Sequence, residues 1–313
     1  MFNKNSFIYV AGHTGLVGSA LIRVLHREGY KNIITKTHEE LELKNQKEVD
    51  SFFASHTIEY VFLCAGKVGG IIGNKTEPAS YLHENLLIQD TLFEAVKKYS
   101  VKNMIFYGSS CTYPKVCKQP MKEEYWLSGA IEETSMGYAA AKIAGIIGCK
   151  SYNTQYKTNK FICVIPNSIY GENDNFDLEN SHVFSALIRK IDTAKKENQK
   201  SLTLWGSGKP RREFIYSEDV AYASIFLMKN AQNLENTHYN LGSGSDYSIQ
   251  ELAESIVRVV GYKGKIEWDS KQPDGTGQKL LDSSKLLALG WYPKTTFEDG
   301  LQSTYDWYRK NYR

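Results

Sequence analysis

The sequence predicts an α/β fold, built on a doubly wound parallel sheet with a smaller α/β lobe towards the C-terminus. Short apolar segments alternate with segments of helical periodicity through the first half of the chain. The first apolar segment leads directly into a turn with three glycines. After residue 171 the alternation ends, and the predicted elements become shorter.

Strands and helices of the first half follow one another in a regular order. Because the strands are apolar throughout, we expect them to be covered on both faces and to pair in parallel through right-handed crossovers. Predicted helices span about 79–99 and 139–156, and another follows the glycine turn. The predicted strands are Phe7–Val10, Asn32–Thr35, Tyr60–Ala65, Met104–Tyr107 and Phe161–Ile165.

The second half begins with a polar, turn-rich segment, GENDNFDLENSH, which predicts a loop. A helix from about Val183 and a strand at Leu202–Trp205 follow it. A helix from about Ser248 and a strand at Lys265–Trp268 come later. We interpret these shorter elements as a second, smaller lobe.

Composition and charge exclude several classes of protein. The chain has 313 residues, 42% of them hydrophobic and 23% charged, which fits one large domain or two closely joined ones. A formal net charge of +3 predicts neither nucleic-acid nor membrane-surface binding. No segment approaches the ~20 apolar residues of a membrane span, so we expect no membrane partner.

The five cysteines indicate a reducing environment. Their number is odd and no CxxC pair occurs, which fits neither a zinc site nor a disulfide framework. The N-terminus has no apolar run typical of a signal peptide. We therefore expect a cytoplasmic protein without a bound metal.

The glycine turn has the spacing GxxGxxG directly after the first strand. Gly12 permits the tight turn, Gly15 lets backbone N–H groups approach a diphosphate, and Gly18 permits close helix–strand packing. This position favours a Rossmann-type dinucleotide site over a glycine turn without a ligand. The cofactor-binding residues predicted in the turn are Gly12, Thr14, Gly15, Leu16, Val17 and Gly18.

The end of the second strand favours NADP(H) over NAD. An acidic residue usually binds the NAD ribose there, but this chain has Lys36 and His38, which could meet a 2′-phosphate. The alternative is a solvated Lys36 with Glu39 or Glu40 at the ribose. Ala65, which ends the third strand, is also assigned to the cofactor site.

Tyr138 and Lys142 lie four residues apart and so share one face of a predicted helix. A nearby ammonium is expected to lower the pKa of a phenol and fit it for acid–base catalysis. Ser109 or Ser110, after the preceding strand, could hydrogen-bond a substrate carbonyl beside that phenol. Cys111 follows and, if the segment is extended, projects to the same side as Ser109.

Eight segments between residues 11 and about 282 together resemble the GDP-L-fucose synthase family of the extended short-chain dehydrogenase/reductase superfamily. Single segments are shared among sugar-nucleotide enzymes, but KVGG, SSCTYPK and NSHV in this order are more specific. The segments are AGHTGLVGSAL, AGKVGGI, GSSCTYPK, GYAAAKIAG, NSIYG, DNFDLENSHV, WGSGKPRREF and PDGTGQKLLD.

The resemblance implies a role for each matching residue. Ser109, Tyr138 and Lys142 match the reductase triad, and Cys111 and His182 match the acid–base pair of epimerisation. Lys142 and His182 are also implied at the cofactor. The residues implied at the sugar nucleotide are Lys67, Val68, Ser110, Asn167, Val183, Lys190, Trp205, Arg212 and Lys279.

The residues alone leave other roles open. Cys111 could be an inert buried thiol, and His182 could cap or pack a helix. Arg212 could form an ordinary ion pair, Lys279 could be solvated, and Trp205 could serve in packing alone.

The implied activity is NADPH-dependent reduction at carbon 4 of a GDP-linked 4-keto-6-deoxy-sugar, with 3,5-epimerisation, for surface glycan precursors. Thr14 and Lys190 stand where the family usually has arginine, and Gly137 where it often has proline. A 4-keto-heptose substrate and a reductase without epimerase activity therefore stay open. An NAD-retaining sugar-nucleotide 4-epimerase and a non-catalytic NADP-binding protein are further alternatives.

The resemblance also implies a domain organisation. Residues 1–170 would form an NADP-binding Rossmann domain to which about 214–243 return. Residues 171–213 and 244–313 would form the sugar-nucleotide-binding lobe. The helices near 79–99 and 139–156 would join two copies of the chain as a homodimer through a four-helix bundle.

Overall fold

The computed structural model describes residues 1–178, 181–272 and 274–312. Glu179 and Asn180 of the segment DNFDLENSHV, Pro273 of PDGTGQKLLD, and Arg313 lie outside the described residues. The strands are β1 Phe7–Ala11, β2 Asn32–Ile34, β3 Tyr60–Leu63, β4 Asn103–Tyr107, β5 Phe161–Pro166, β6 Ser168–Tyr170, β7 Ser201–Trp205, β8 Arg211–Tyr216, β9 His238–Leu241, β10 Asp246–Ser248, β11 Lys265–Asp269 and β12 Gln278–Lys279. The helices are α1 Leu16–Arg27, α2 Gln46–Ser55, α3 Ile71–Thr76, α4 Pro78–Lys98, α5 Met136–Tyr156, α6 Val183–Lys196, α7 Ser217–Lys229, α8 Ile249–Val260, α9 Ser284–Ala288 and α10 Phe297–Asn311.

The first sheet is parallel throughout, with the strand order β2-β1-β3-β4-β5-β9. The predicted doubly wound α/β fold is therefore confirmed. The chain passes from β1 to β2 on one side and then returns to place β3 on the other side. Such a reversal opens a crevice beyond the carboxyl ends of the strands, where ligands bind in this class of fold.

Apolar cores cover both faces of the first sheet, which explains why its inner strands lack a polar face. One core joins the sheet to α1 and α7 through residues such as Leu21 and Val220. The other joins it to α2, α4 and α5 through Phe52, Leu92 and Ile146. This packing places the carboxyl ends of β1 to β5 along one edge.

Strand β8 organises the second sheet. β10 runs antiparallel and β12 parallel to its first half, and β6 runs parallel to its second half. β7 and β11 form a separate parallel pair. A third core, rich in aromatic rings such as Tyr170, Phe184 and Phe297, packs α6, α8 and α10 against these strands.

Several elements differ from the sequence prediction. Helix α5 begins at Met136 rather than Ala139, so Tyr138 lies in its first turn. The segment Ser110–Thr112 forms one 3-10 turn, so the expectation of an extended segment was wrong. Helices α2, α3, α7, α9 and α10 and strands β6, β8, β9, β10 and β12 were not predicted. The domain boundaries stay a prediction.

None of the helices in the described part of the chain has the length and apolar character that a membrane span needs. Over the same residues, no group of three or more His, Cys, Asp or Glu side chains is placed to hold a metal ion. All five cysteines are free thiols.

Candidate active site

The glycine turn between β1 and α1 leaves no room for side chains at two of its positions. A Cβ atom on Gly18 would lie 2.1 Å from the Gly12 carbonyl oxygen, and Gly12 itself has a φ of +79°. A Cβ on Gly12 would lie 2.6 Å from the backbone nitrogen of Ala65. Gly15 caps α1 without a side-chain hydrogen bond, so the first N–H groups of the helix, at Leu16 and Val17, have no partner from the cap. This cradle fits the diphosphate of a dinucleotide.

Two basic side chains lie beyond β2, on the same edge as the glycine turn. The Nζ of Lys36 lies 3.5 Å from Oε1 of Glu40, and Nε2 of His38 lies 3.5 Å from Oε2 of Glu42. Oε2 of Glu40 accepts a hydrogen bond from the backbone N–H of Thr37. The carboxylate next to Lys36 is therefore already engaged by the backbone of Thr37.

The loop after β3 is fixed by a buried asparagine of α4. Asn85 accepts a hydrogen bond from the Lys67 backbone N–H at 3.1 Å and donates one to the Lys67 carbonyl at 3.0 Å. The Lys67 ammonium lies 2.7 Å from Glu77 and 3.2 Å from Glu84. Lys67 is thus anchored by two carboxylates, while Val68 beside it is exposed. Sequence analysis missed Asn85, because it follows other polar residues in α4 and nothing in the pattern marks it as buried.

The turn after β4 carries three of the predicted residues. The Ser109 hydroxyl caps this 3-10 turn by accepting a hydrogen bond from the Cys111 backbone N–H at 3.4 Å. The Ser110 hydroxyl donates to Oδ1 of Asn167 at 3.1 Å and so faces away from solvent. Successive side chains of the tight turn point in different directions. Ser110 is therefore buried, while Ser109 and Cys111 are partly exposed.

Tyr138 meets the same turn from α5. The Ser109 hydroxyl and the Cys111 thiol both lie close enough to the phenol to influence its pKa. Burial nevertheless dominates and raises the pKa of Tyr138, which contradicts the expectation of a lowered value. A protonated phenol at this position is fitted to donate a proton.

Lys142 lies one helical turn beyond Tyr138 and is buried. Its ammonium donates a hydrogen bond to the Tyr107 carbonyl at 2.8 Å and lies 5.8 Å from the centre of the Tyr138 ring. Burial lowers the pKa of Lys142 to about 8. Lys142 is therefore a buried cation whose charge is poorly compensated by the protein.

Cys111 lies between two lysines. Burial raises the pKa of its thiol, while the Lys279 ammonium, the Ser109 hydroxyl and the Lys142 ammonium act in the opposite direction. Burial prevails, so the thiol is protonated at neutral pH. In this state Cys111 can donate a proton.

His182 precedes α6 as its N-cap residue, and its side chain is exposed and makes no capping hydrogen bond. The buried carboxylate of Asp174 lies near enough to interact with it electrostatically. No hydrogen bond joins His182 to Ser109, Cys111 or Tyr138. The structure thus brings these three residues together and leaves His182 at the start of a separate helix. Val183, the first residue of α6, is also exposed.

Arg212 and Lys279 are paired residues of β8 and β12. Nη1 of Arg212 donates to the carbonyls of Arg211 at 2.8 Å and Thr276 at 2.6 Å. Burial lowers the pKa of both cations, and each makes no salt bridge with a carboxylate of the described residues. Two adjacent cations that no carboxylate of the described residues contacts directly form a candidate anion site.

Lys190 and Trp205, both in the second half of the chain, contact each other on the protein surface. The Lys190 ammonium lies 5.3 Å from the centre of the indole ring. The ring is 65% exposed, so a role in packing alone does not explain it. It offers a flat surface on which an aromatic base could stack.

The arrangement is suited to chemistry at a carbonyl group. Ser109 and Tyr138 can both hydrogen-bond one oxygen atom, and Lys142 supplies positive charge close by. Cys111 can exchange a proton with a carbon next to that oxygen. The glycine turn on the same sheet edge can hold a dinucleotide, and the glycines present fit such a group.

Comparisons with known proteins agree with this geometry. Residues 8–242 match the model of the NAD dependent epimerase/dehydratase family. GDP-L-fucose synthase 1 of Arabidopsis thaliana is 47% identical over 311 residues, which cover 99% of this chain and 95% of the relative.

Two solved structures from Campylobacter jejuni are also similar. A GDP-6-OMe-4-keto-L-xylo-heptose reductase has a TM-score of 0.93 and 39% identity, with 99% of each chain covered. A GDP-mannoheptose C4 reductase with NADP bound has a TM-score of 0.91 and 40% identity, with 99% of this chain and 100% of that chain covered. The chain therefore belongs to the NAD dependent epimerase/dehydratase family and, within it, to the GDP-L-fucose synthase family.

Proposed function

We propose that this protein is an enzyme that reduces carbon 4 of a GDP-linked 4-keto-6-deoxy-sugar with NADPH and also epimerises carbons 3 and 5. The observation that carries the proposal is the meeting of Ser109, Cys111 and Tyr138 at one turn, next to Lys142. Relatives named for GDP-sugar synthesis and reduction support the same chemistry.

The proton-exchange step depends on the ketone. A keto group at carbon 4 acidifies the hydrogens on carbons 3 and 5, and removal of one leaves negative charge on the ketone oxygen. Hydrogen bonds from Ser109 and Tyr138 would stabilise that charge. Inversion then requires a proton donor on the face opposite the base.

The raised pKa of Cys111 supports one division of the acid and base roles between Cys111 and His182. Because burial keeps the thiol protonated, Cys111 is suited to donate the proton, and exposed His182 is suited to remove one. His182 lies at the start of α6, so it would have to approach the sugar from the side of the second sheet. After each exchange His182 must release the proton it gained, and the Cys111 thiolate must take up a new one.

The reduction step uses the same oxygen. Bound NADPH supplies the hydride that reduces carbon 4. Tyr138 holds the proton that the ketone oxygen needs, and its raised pKa keeps that proton in place until negative charge develops. Lys142 then stabilises the phenolate that remains.

The remaining assigned residues divide between the two ligands. Lys36 and His38 favour a 2′-phosphate, which a titration of NADPH against NADH tests; stronger NADH binding would contradict it. Arg212 and Lys279 would bind the diphosphate of the GDP-sugar, and Trp205 with Lys190 the guanine end. Lys67, Val68 and Val183 would border the sugar.

A second candidate is reduction without epimerisation, on a heptose. It is favoured by the two similar structures from Campylobacter jejuni, both of which are reductases of GDP-linked heptoses. Both candidates predict NADPH oxidation, but only the first predicts solvent deuterium at carbons 3 and 5.

The protein's surroundings are part of the proposal. We place it in the cytoplasm, where GDP-sugars are made, and expect a homodimer. Helices α4 and α5 pack against each other, and α5 leaves Ile147 and Tyr156 exposed, as a four-helix bundle requires. A monomeric mass in solution would contradict the dimer.

The direct test is NADPH oxidation with GDP-4-keto-6-deoxymannose and with a GDP-4-keto-6-deoxy-heptose. We expect turnover with at least one of them, and we expect Tyr138→Phe to lower kcat by about 100- to 10,000-fold. Absence of NADPH oxidation with both substrates would refute the proposal.

A further inference from the structure

Glu213 is a fully buried carboxylate in β8, beside the Arg212 of the candidate anion site. It has no salt bridge with a cation of the described residues. Its Oε1 accepts a hydrogen bond from the Gly244 backbone N–H at 2.8 Å, and its Oε2 accepts one from the Leu281 backbone N–H at 3.0 Å. The carboxylate therefore ties β8 to the segments that follow β9 and β12.

Asn167 provides the third hydrogen bond of this carboxylate. Its Nδ2 donates to Oε2 of Glu213 at 2.7 Å and also to the Lys279 carbonyl at 3.1 Å. A side-chain amide has two N–H donors, so both are used inside the protein. Asn167 thus retains only acceptor capacity, which does not suit the oxygens of a diphosphate.

The other end of Asn167 reaches the reacting turn. Its Oδ1 accepts the hydrogen bond from Ser110, which lies between Ser109 and Cys111. A continuous chain of hydrogen bonds therefore runs from Glu213 through Asn167 to the turn that carries the reacting groups. The same asparagine holds the carbonyl of Lys279, whose ammonium acts on Cys111.

We infer that Glu213 is a positioning residue, which through Asn167 fixes the reacting turn relative to the cations Arg212 and Lys279. The inference rests on the proposed function, because it assumes that the sugar reacts at the turn while the diphosphate binds the cations. Asn167 is then part of this brace and not a donor to the sugar nucleotide.

The hydrogen bonds of Glu213 offset the free-energy cost of its burial and hold two parts of the site at a fixed separation. A buried carboxylate without a cation is expensive, and its hydrogen bonds to backbone N–H groups and Asn167 offset that expense. A substrate that spans two elements reacts efficiently only if their separation is correct, and a misplacement of about 1 Å can lower the rate about 100-fold. Glu213 connects the two elements directly.

Glu213→Gln tests the inference because it keeps the shape but turns one acceptor oxygen into a donor. That group would face an N–H donor, so at least one side of the brace must separate. We expect kcat for reduction to fall about 10- to 100-fold. The affinity for NADPH should be unchanged, because Glu213 lies in the second sheet and makes no contact with the glycine turn after β1.

Asp219→Asn is the matched control. Asp219 is also buried and accepts backbone hydrogen bonds, from Lys294 and Thr295 at 3.0 Å each, but it does not contact the reacting turn. We expect it to lower thermal stability and leave kcat per folded molecule unchanged. Equal kcat losses in both variants would show a merely structural role and overturn the inference.

Hydrogen exchange separates this inference from the proposed function, since it requires no turnover. Glu213→Gln should speed exchange at residues 108–112 and 278–281, and Asp219→Asn should not. Wild-type exchange at residues 108–112 in Glu213→Gln would overturn the inference even if the enzyme is active. If wild type oxidises no NADPH, the proposed function fails and the exchange result alone decides whether the brace exists.

Ser110→Ala extends the test should Glu213→Gln fail to fold. It removes only the last link of the chain, at the edge of the brace. We expect a smaller loss in kcat and faster exchange confined to residues 108–112. In the double variant with Asn167→Ala, the losses should be non-additive, because both changes break one chain. Additive losses would contradict the brace.

Discussion

The glycine turn after β1 and the Arg212–Lys279 pair on β8 and β12 are both suited to phosphate, but they present different groups to it. The turn presents backbone N–H groups and excludes side chains, since a Cβ on Gly18 would lie 2.1 Å from the Gly12 oxygen. The pair presents two charged side chains without carboxylate partners among the described residues. The first region depends on shape, whereas the second depends on charge.

This difference determines what each region tolerates. Substitutions that add volume should weaken phosphate binding at the glycine turn but not at the Arg212–Lys279 pair. Substitutions that remove charge should weaken binding at the pair but not at the turn. Lys142 of α5 is an exception, because it packs beside the first sheet but contributes through charge: it is a buried cation close to the reacting groups. The first prediction therefore concerns Lys142.

Lys142→Met should have the largest effect. The positive charge next to Tyr138 is lost, so kcat for reduction should fall about 100- to 10,000-fold. Lys150→Met, on the same helix and outside the reacting group, should keep its activity. A kcat within about twofold of wild type for Lys142→Met would contradict a role for this ammonium.

Although Lys142→Met should lower the activity, it should raise the thermal stability of the protein. Burial lowers the pKa of Lys142 to about 8, from an ordinary value of 10.5, so the unfolded chain binds this proton more tightly than the folded protein. The charge therefore destabilises the fold below about pH 8, and the penalty fades as the pH rises to 10.5. Thermal unfolding should give Lys142→Met a higher Tm than wild type at pH 7 and a smaller difference at pH 10.

Gly18→Ala should have the next largest effect. The added methyl group forces the turn open at a cost of about 1–3 kcal/mol, which corresponds to about 5- to 150-fold weaker NADPH binding. Gly277→Ala is the control, because a Cβ there meets nothing within 4 Å. Calorimetric titration measures both, and unchanged NADPH affinity in Gly18→Ala would contradict the shape-dependent cradle.

Arg212→Ala should raise the KM for the GDP-sugar at least about 10-fold, because hydrogen bonds to charged groups contribute about 1.5–3 kcal/mol. NADPH affinity should not change. Arg211→Ala is the matched control, since the neighbouring guanidinium is already paired with Asp246 at 2.8 Å and Glu251 at 3.2 Å. An equal rise in KM for both variants would argue against a specific anion site.

The smallest expected effect is the one that Lys279→Gln has on the titration of the Cys111 thiol. Lys279 lowers the pKa of Cys111 against the opposing effect of burial, so its removal should raise that pKa further. The rate of thiol alkylation at Cys111 should then begin to rise at a higher pH than in wild type. A shift to lower pH would have the wrong sign and would contradict the contact.

The same comparison shows how far sequence reasoning extends. The glycine turn is a local pattern, and β1, β4 and β5 are apolar segments, so these features were predicted closely. Strand β8 begins with three charged residues and β12 has only two residues, and both form by pairing with segments far apart in the chain. Arg212 and Lys279 were therefore assigned through a family resemblance and not from their pattern.

Other misses have similar causes. Glu213 lies between a charged residue and an apolar one, and only the fold shows that its partners are Asn167 and two distant backbone groups. The pKa of Tyr138 depends on burial, which residue spacing does not report. The 3-10 turn at residues 110–112 replaced the expected extended segment, although Cys111 still lies with Ser109 near Tyr138.

The central claim is that one oxygen-binding turn serves both proton exchange and reduction. Product NMR after turnover with NADPH in deuterated water tests it in wild type and Ser109→Ala. We expect wild type to place deuterium on carbons 3 and 5 and to reduce carbon 4. In Ser109→Ala, deuterium incorporation and reduction should both slow by a similar factor, because both lose a donor to the same oxygen. Exchange at the wild-type rate in Ser109→Ala, with reduction lost, would contradict the claim.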